Sequence, residues 1–322
     1  MFSLFKILLP LLIFSFLPTQ DLFAKKKAKE IEEREVPSLN FESSLKTLFN
    51  SLDPYSVSQH LAFYELYPGT KEGKDSLQRA WGLLREGPVS EKESVTALPI
   101  VDIQAVISLI TRQTFDSPVV LNEEQLNLIA KISDRLGNRK LKGHDVWTKE
   151  EVLKLLPEEI DLARGLLIFQ FDTSIDPKKE ILQYEASIDL MALQIAARLP
   201  VNAIQEDKIR EINRFIFQEM QFRFPPHSLY ANDIDLYTFL PAVLDSRRGV
   251  CLGVSILYLS LAQRLDLPLE IITPPGHIYV RYNNGKKIIN IETTARGIDL
   301  PSEVYLGINT RSLQQRNLKE VI

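Results

Sequence analysis

The chain has 322 residues, 45% of them hydrophobic and 25% charged, with a formal net charge of -4 at pH 7. This balance suits a soluble globular protein with enough chain for two domains and excludes a disordered or low-complexity one. The mildly acidic balance excludes the broad basic face of a nucleic-acid binder, and a single cysteine excludes an internal disulfide.

Residues 1–24 read as an export signal. Lys6 supplies a sparse positive start, and the apolar run over 7–17 is too short for an ordinary spanning helix. Cleavage is expected after Ala24. If residues 4–17 instead stay as an anchor, the body still lies outside the cytoplasm, in the periplasm or cell envelope. Residues 25–36 (KKKAKEIEEREV) form a charged linker, which meets anionic lipid only with the anchor retained.

Residues 37–173 are expected to form a helical domain of unassigned role. Short helices are predicted over 45–52, 56–66 and 75–84, with an amphipathic one over 101–113. Asn122 with Gln125 makes a capping-box start for a helix ending near Gly137. Thr148 with Glu151 makes another, broken at Pro157 and resumed to about Phe169. His60 in a helical run and His144 in the loop KGHDVW have no partner at metal-ligand spacing, so neither a metal nor another cofactor is expected. Trp81 and Trp147 read as core anchors.

The second domain, residues 174–322, opens with helices over 178–199 and 206–220. The following stretch FRFPPHSLYANDIDLY is too rich in Pro, Asn and Asp for regular structure and could wall a cleft. His227 within it is a rival base, though a histidine after two prolines is more often simply exposed. Next comes RRGVCLGVS. Gly249 breaks the preceding segment, and Cys251 begins a largely buried helix that runs to about Arg264. A thiol in a first helical turn feels the positive end of the macrodipole, which favours thiolate; the plainer reading is a small buried hydrophobe. Arg247 and Arg248 could receive a substrate carboxylate, or else pair structurally with Asp245 or a backbone carbonyl.

Asn284-Gly285 between two β-rich runs signals a two-residue hairpin. That register sets His277 opposite Glu292, with Cβ atoms about 4.5–5.5 Å apart. Ile278, Val280 and Tyr282 then share the other face with Ile289 and Ile291. A turn at Asn283-Asn284 would instead oppose His277 to Asn290, the alternative orienting residue. Beyond Glu292 no site is visible.

With Cys251, His277 and Glu292 in view, the stretch YTFLPAVLDSRRGVCLGVSILYLSLAQRLDLPLEIITPPGHIYVRY and the helix before it resemble the transglutaminase-like superfamily, in particular its SirB1-type branch. The resemblance covers about residues 184–298. It implies an α+β fold in which a cysteine-bearing helix packs on a small antiparallel sheet. It also implies a papain-like triad of Cys251, His277 and Glu292, where relatives usually carry Asp at the third position.

The expected activity is that of an exported cysteine enzyme, a hydrolase or acyltransferase acting on peptide amide bonds. Its partner would be a peptide or protein substrate such as a cell-wall peptide. The alternative is a catalytically inactive binding or scaffold protein of the same fold in the cell envelope.

Overall fold

The structure, a computed structural model, describes residues 41–88, 98–112 and 119–305. The signal and linker expected over residues 1–36 lie outside the described residues. Two compact units divide the chain at Leu48 and Phe49. Described residues of the first, 41–48, belong to the helix α1 (Phe41–Asn50).

In the second unit the helices follow in chain order: α2 (Val57–Leu66), α3 (Lys71–Glu86), α4 (Gln104–Thr111), α5 (Glu123–Ile132), α6 (Lys149–Val152), α7 (Leu162–Gln170), α8 (Pro177–Ala196), α9 (Gln205–Asn213), α10 (His227–Tyr230), α11 (Leu240–Ser246) and α12 (Cys251–Arg264). No helix among the described residues is long and apolar enough to cross a membrane.

Side-chain caps start many of these helices. Ser56 accepts from Gln59 N–H, and Thr70 from Gly73 N–H. The two capping boxes legible in the sequence, Asn122 with Gln125 and Thr148 with Glu151, are both formed. Boundaries differ from expectation where the chain meets other elements. Helix α5 ends at Ile132, and Gly137 opens a 3-10 turn instead of closing the helix. A Cβ there would lie 2.5 Å from the carbonyl oxygen of Gln263, so the residue permits a close approach to α12. Helix α6 stops after one turn, before a 3-10 turn at Pro157–Glu159 and a restart at the Asp161 cap. Helix α9 passes into a π-helix over Arg214–Glu219. Phe215, Ile216 and Phe217 are consecutive and all buried, an arrangement that the wider turn accommodates. Contrary to expectation, the Pro/Asn/Asp-rich stretch holds α10 and a 3-10 turn at Asp235–Tyr237.

One hydrophobic core runs through the second unit from Val57 to Ile291. Helices α8 and α12 lie deep in it, with buried residues on most of their faces. A charged cluster is sealed among these helices. Arg264 Nε donates to Asp189 at 2.6 Å, Arg139 pairs with the same carboxylate, and Arg164 donates twice to Glu185 at 2.6 and 2.5 Å. Asn138 donates to Asp161 at 2.8 Å, with Arg264 3.8 Å away. The carboxylates of Asp161, Glu185 and Asp189 thus face the guanidiniums of Arg139, Arg164 and Arg264, which balances the charge without solvent.

The sheet has four antiparallel strands in the order β1 (Glu270–Ile272), β2 (Tyr279–Asn283), β3 (Ile288–Glu292), β4 (Ile298–Asp299). Val280, Tyr282 and Ile291 point into the core. The hairpin register differs from the one a two-residue turn requires. Asn283 pairs with Ile288, Arg281 with Asn290 and Val280 with Ile291, so residues 284–287 form the connection. Asparagine side chains hold this longer loop: Asn283 Oδ1 accepts from Gly285 N–H, and Asn284 Oδ1 accepts from the amides of Lys286 and Lys287. The shift is two residues, and two is the side-chain period of a strand, so every side chain keeps its expected face.

Candidate active site

Three backbone contacts set the start of α12. Arg223 N–H donates to Arg247 O at 3.0 Å, Gly249 N–H to Arg223 O at 3.2 Å, and Val250 N–H to Tyr237 O at 2.8 Å. Arg247 itself turns the chain with φ 51°. The loop at Tyr237 crosses so tightly that a Cβ on Gly253 would lie 2.4 Å from Tyr237 O. Cys251 is the first residue of the helix and half-buried, and the N-cap residue Val250 offers no side-chain acceptor. The first-turn amides therefore point past the thiol without an intrahelical partner.

His277 lies just before β2, in a turn where its N–H donates to Pro274 O at 3.1 Å, and not on the strand itself. Continuing the β2–β3 register sets Tyr279 across from Glu292, which makes His277 the diagonal neighbour of Glu292 on the same face. The pair still meets: His277 Nε2 donates to Glu292 Oε2 at 2.6 Å. Glu292 is 3% exposed. Its Oε1 accepts from the Thr294 hydroxyl and from Thr294 N–H, and its Oε2 also accepts from Tyr305 OH at 3.0 Å. Burial opposes its charge, but donation from Thr294 and His277 outweighs burial and holds the carboxyl below its ordinary value. An ionised Glu292 fixes the tautomer and plane of the imidazole and leaves Nδ1 as the ring nitrogen free for proton transfer.

Through the face that bears the thiol, helix α12 meets the residue that follows Glu292. Ser255, one turn after Cys251, lies 3.0 Å from the Thr293 hydroxyl, and Thr293 directly follows Glu292. Side chains four apart on a helix stand about 5–6 Å apart on one face. Among the described residues Sγ makes no hydrogen bond, so thiol and imidazole are not a bonded pair.

The other candidates are engaged elsewhere. Arg247 donates to the carbonyls of Met220 and Arg112, which is the structural pairing weighed from sequence. Asp245 instead receives Arg112 and Tyr184. Arg248 is exposed. Asn290 accepts from Arg281 at 2.8 Å and donates to Leu300 O at 2.6 Å, two pairs along the ladder from Glu292. His227 sits in α10, with its ring against Tyr230. Of the groups that could hold a metal, His144, Asp161 and Glu185 converge within 4.8 Å. Arg264 stands 3.8 Å from Asp161, and Arg164 binds Glu185 through two hydrogen bonds. A cation there would have to displace guanidinium groups.

Sequence reasoning missed Tyr279 and Tyr305. The first had a signal, since it stands two residues from His277 on a β-rich run. The second, after Glu292 in a stretch where no site was expected, had none. The Tyr305 ring stacks on Tyr279 at 4.0 Å and lies parallel to His277 at 5.9 Å.

Residues 182–318 match the family model of the transglutaminase-like superfamily. The α+β architecture, with a cysteine helix beside a small antiparallel sheet, is a transglutaminase-like fold. The chain is also 30% identical over 82 residues to F-box only protein 21 of Mus musculus, covering 26% of this chain and 13% of that protein. Against F-box only protein 21 of Homo sapiens it is 26% identical over 111 residues, covering 34% and 16%. The chain therefore spans less than a fifth of the length of these relatives. No solved structure matches the chain.

Proposed function

We propose that this transglutaminase-like region is a cysteine enzyme that hydrolyses or transfers acyl groups on peptide amides, with Cys251, His277 and Glu292 as its working residues. The reading is carried by one observation: a buried carboxylate with four donors grips one nitrogen of an imidazole, and the next residue, Thr293, meets a helix that begins with the only cysteine in the chain. The motifs RRGVCLGVS and PPGH further support a place in the SirB1-type branch.

His277 takes the thiol proton, and the thiolate attacks the amide carbonyl, forming a C–S bond. Amides at the start of α12, that of Cys251 among them, stabilise the oxyanion. The imidazolium returns its proton to the departing amine as the C–N bond breaks, leaving a thioester. Water then attacks, giving its proton to His277; the C–S bond breaks, the acid departs and the thiol is restored. An amine in place of water gives transfer. Hydrolysis is the favoured outcome, because water is always present and transfer needs a dedicated amine site. Export through residues 1–24 and a cell-wall peptide as substrate complete the proposal.

Iodoacetamide labelling of the native protein against pH tests the thiol. Cys251 should react faster than a free thiol below about pH 7, and His277→Asn should abolish the excess. Labelling no faster than a free thiol would leave the inactive binding protein as the better reading. In an assay of amine release from wall peptides, Cys251→Ala should reduce the rate to background, and a variant with full activity would dismiss the nucleophile.

A further inference from the structure

Glu292 Oε2 is shared. It accepts from His277 Nε2 at 2.6 Å and from Tyr305 OH at 3.0 Å, while its other oxygen is taken by Thr294. Tyr305 is buried and comes from residues 302–305, a helical turn beyond β4, so it reaches the pair from outside the hairpin that carries both partners. Its ring is held face to face with Tyr279 at 4.0 Å and 9°, and lies nearly parallel to the imidazole, 19° off at 5.9 Å. Tyr279 is in turn fixed by Arg281, which donates to its hydroxyl at 2.8 Å and also to Ser302, three residues before Tyr305. The two tyrosines and Arg281 thus form a brace on one side of the histidine.

From this arrangement we infer that Tyr305 is a positioning residue for the His277–Glu292 pair, setting how much of the carboxylate's charge the imidazole feels and holding the ring plane. The inference rests on the proposed use of His277 as base, but its geometry does not depend on a substrate. A phenol that donates to the same oxygen draws charge away from the imidazolium and limits how strongly the carboxylate holds the ring proton. Burial and the neighbouring Glu292 charge push the Tyr305 phenol well above its ordinary value, so it remains a donor at neutral pH. The charged or titratable groups that touch or act on this arrangement are Tyr279 and Arg281 on β2, Glu292 on β3, Asp299 on β4 and Tyr305.

Tyr305→Phe tests this, because it keeps the stacked ring and removes only the donor. The readout is the proton NMR titration of His277 in the resting protein, its signal assigned among four histidines by its loss in His277→Asn. Freed of a competing donor, Glu292 should hold the imidazolium more tightly, and the His277 midpoint should rise by about half a unit or more. A midpoint unchanged within about a tenth of a unit would overturn the inference. Tyr305→Leu, which also removes the stack, should in addition broaden or split the His277 signal; if that variant does not fold, Tyr305→Phe decides alone. The two proposals fail separately. A shifted midpoint with ordinary iodoacetamide reactivity would sink the enzyme reading and keep Tyr305 in its role, whereas rapid labelling with an unmoved midpoint would do the reverse.

Discussion

At the scale of single residues, buried polar groups carry the testable consequences. Glu292→Gln keeps the shape of the side chain but removes the charge that selects one tautomer of His277. Amine release should fall by about 10²-fold or more, within the range of losing effective general acid–base catalysis, with little change in KM; a variant at wild-type rate would remove Glu292 from the site. His60 offers a separate test of stability. It is 4% exposed with Nδ1 2.9 Å from Ser76 Oγ, and burial, reinforced by Arg79, holds its pKa down at about 4 from 6.5. Between those values the unfolded chain binds a proton that the folded one refuses. The stability is therefore complete above pH 6.5 and declines as the pH falls toward 4, by up to about 3 kcal/mol. Urea midpoints at about pH 7.5 and about pH 4.5 should show this loss, and His60→Gln should lessen it; an equal loss in both proteins would contradict the assignment.

At the scale of elements, glycines decide how closely the chain can fold over the candidate site. Gly253 lies beneath the loop at Tyr237, where an added Cβ would stand 2.4 Å from a carbonyl oxygen and 2.8 Å from Val243. Gly253→Ala should cost about 1–3 kcal/mol and displace the loop that pins the start of α12, seen as a lower urea midpoint together with altered Cys251 labelling. Gly285 has φ +81° and open space around it, so Gly285→Ala should cost only the backbone strain, about 1–2 kcal/mol, and leave labelling unchanged. The hairpin teaches a related lesson. Asn284-Gly285 correctly signalled a reversal, but the side chains of Asn283 and Asn284 recruit nearby amides and enlarge it to four residues. Faces were legible because they depend on parity alone; pairing was not, because loop length depends on which local hydrogen bonds win.

At the scale of the whole molecule, α12 links the candidate site to the buried charge cluster. Cys251 begins the 14-residue helix, and Arg264 ends it with its side chain fully buried between Asp189 and Asp161. Arg264→Met alone would leave carboxylates uncompensated in the core and should cost about 3–5 kcal/mol, read as a urea midpoint. The two ends of the helix are about 20 Å apart, so the molecules that remain folded should label at Cys251 as the wild type does. The cluster was invisible in the sequence, where Asp161, Glu185, Asp189 and Arg264 look like ordinary surface charges spread over a hundred residues.

The sequence by itself determined most of the longer helices and the two capping boxes, the placement of Cys251 at a helix start, the facing of the strands and the company of His277 with Glu292. All of these depend on spacing, propensity and hydrogen bonds among near neighbours, which linear order carries. Only the tertiary structure decided the turn that holds His277, the engagement of Arg247 and Asn290, the balanced charges in the core and the approach of Tyr305. Each of these depends on which distant groups share a volume from which water is excluded, and that is a property of packing, to which no local period in the chain corresponds.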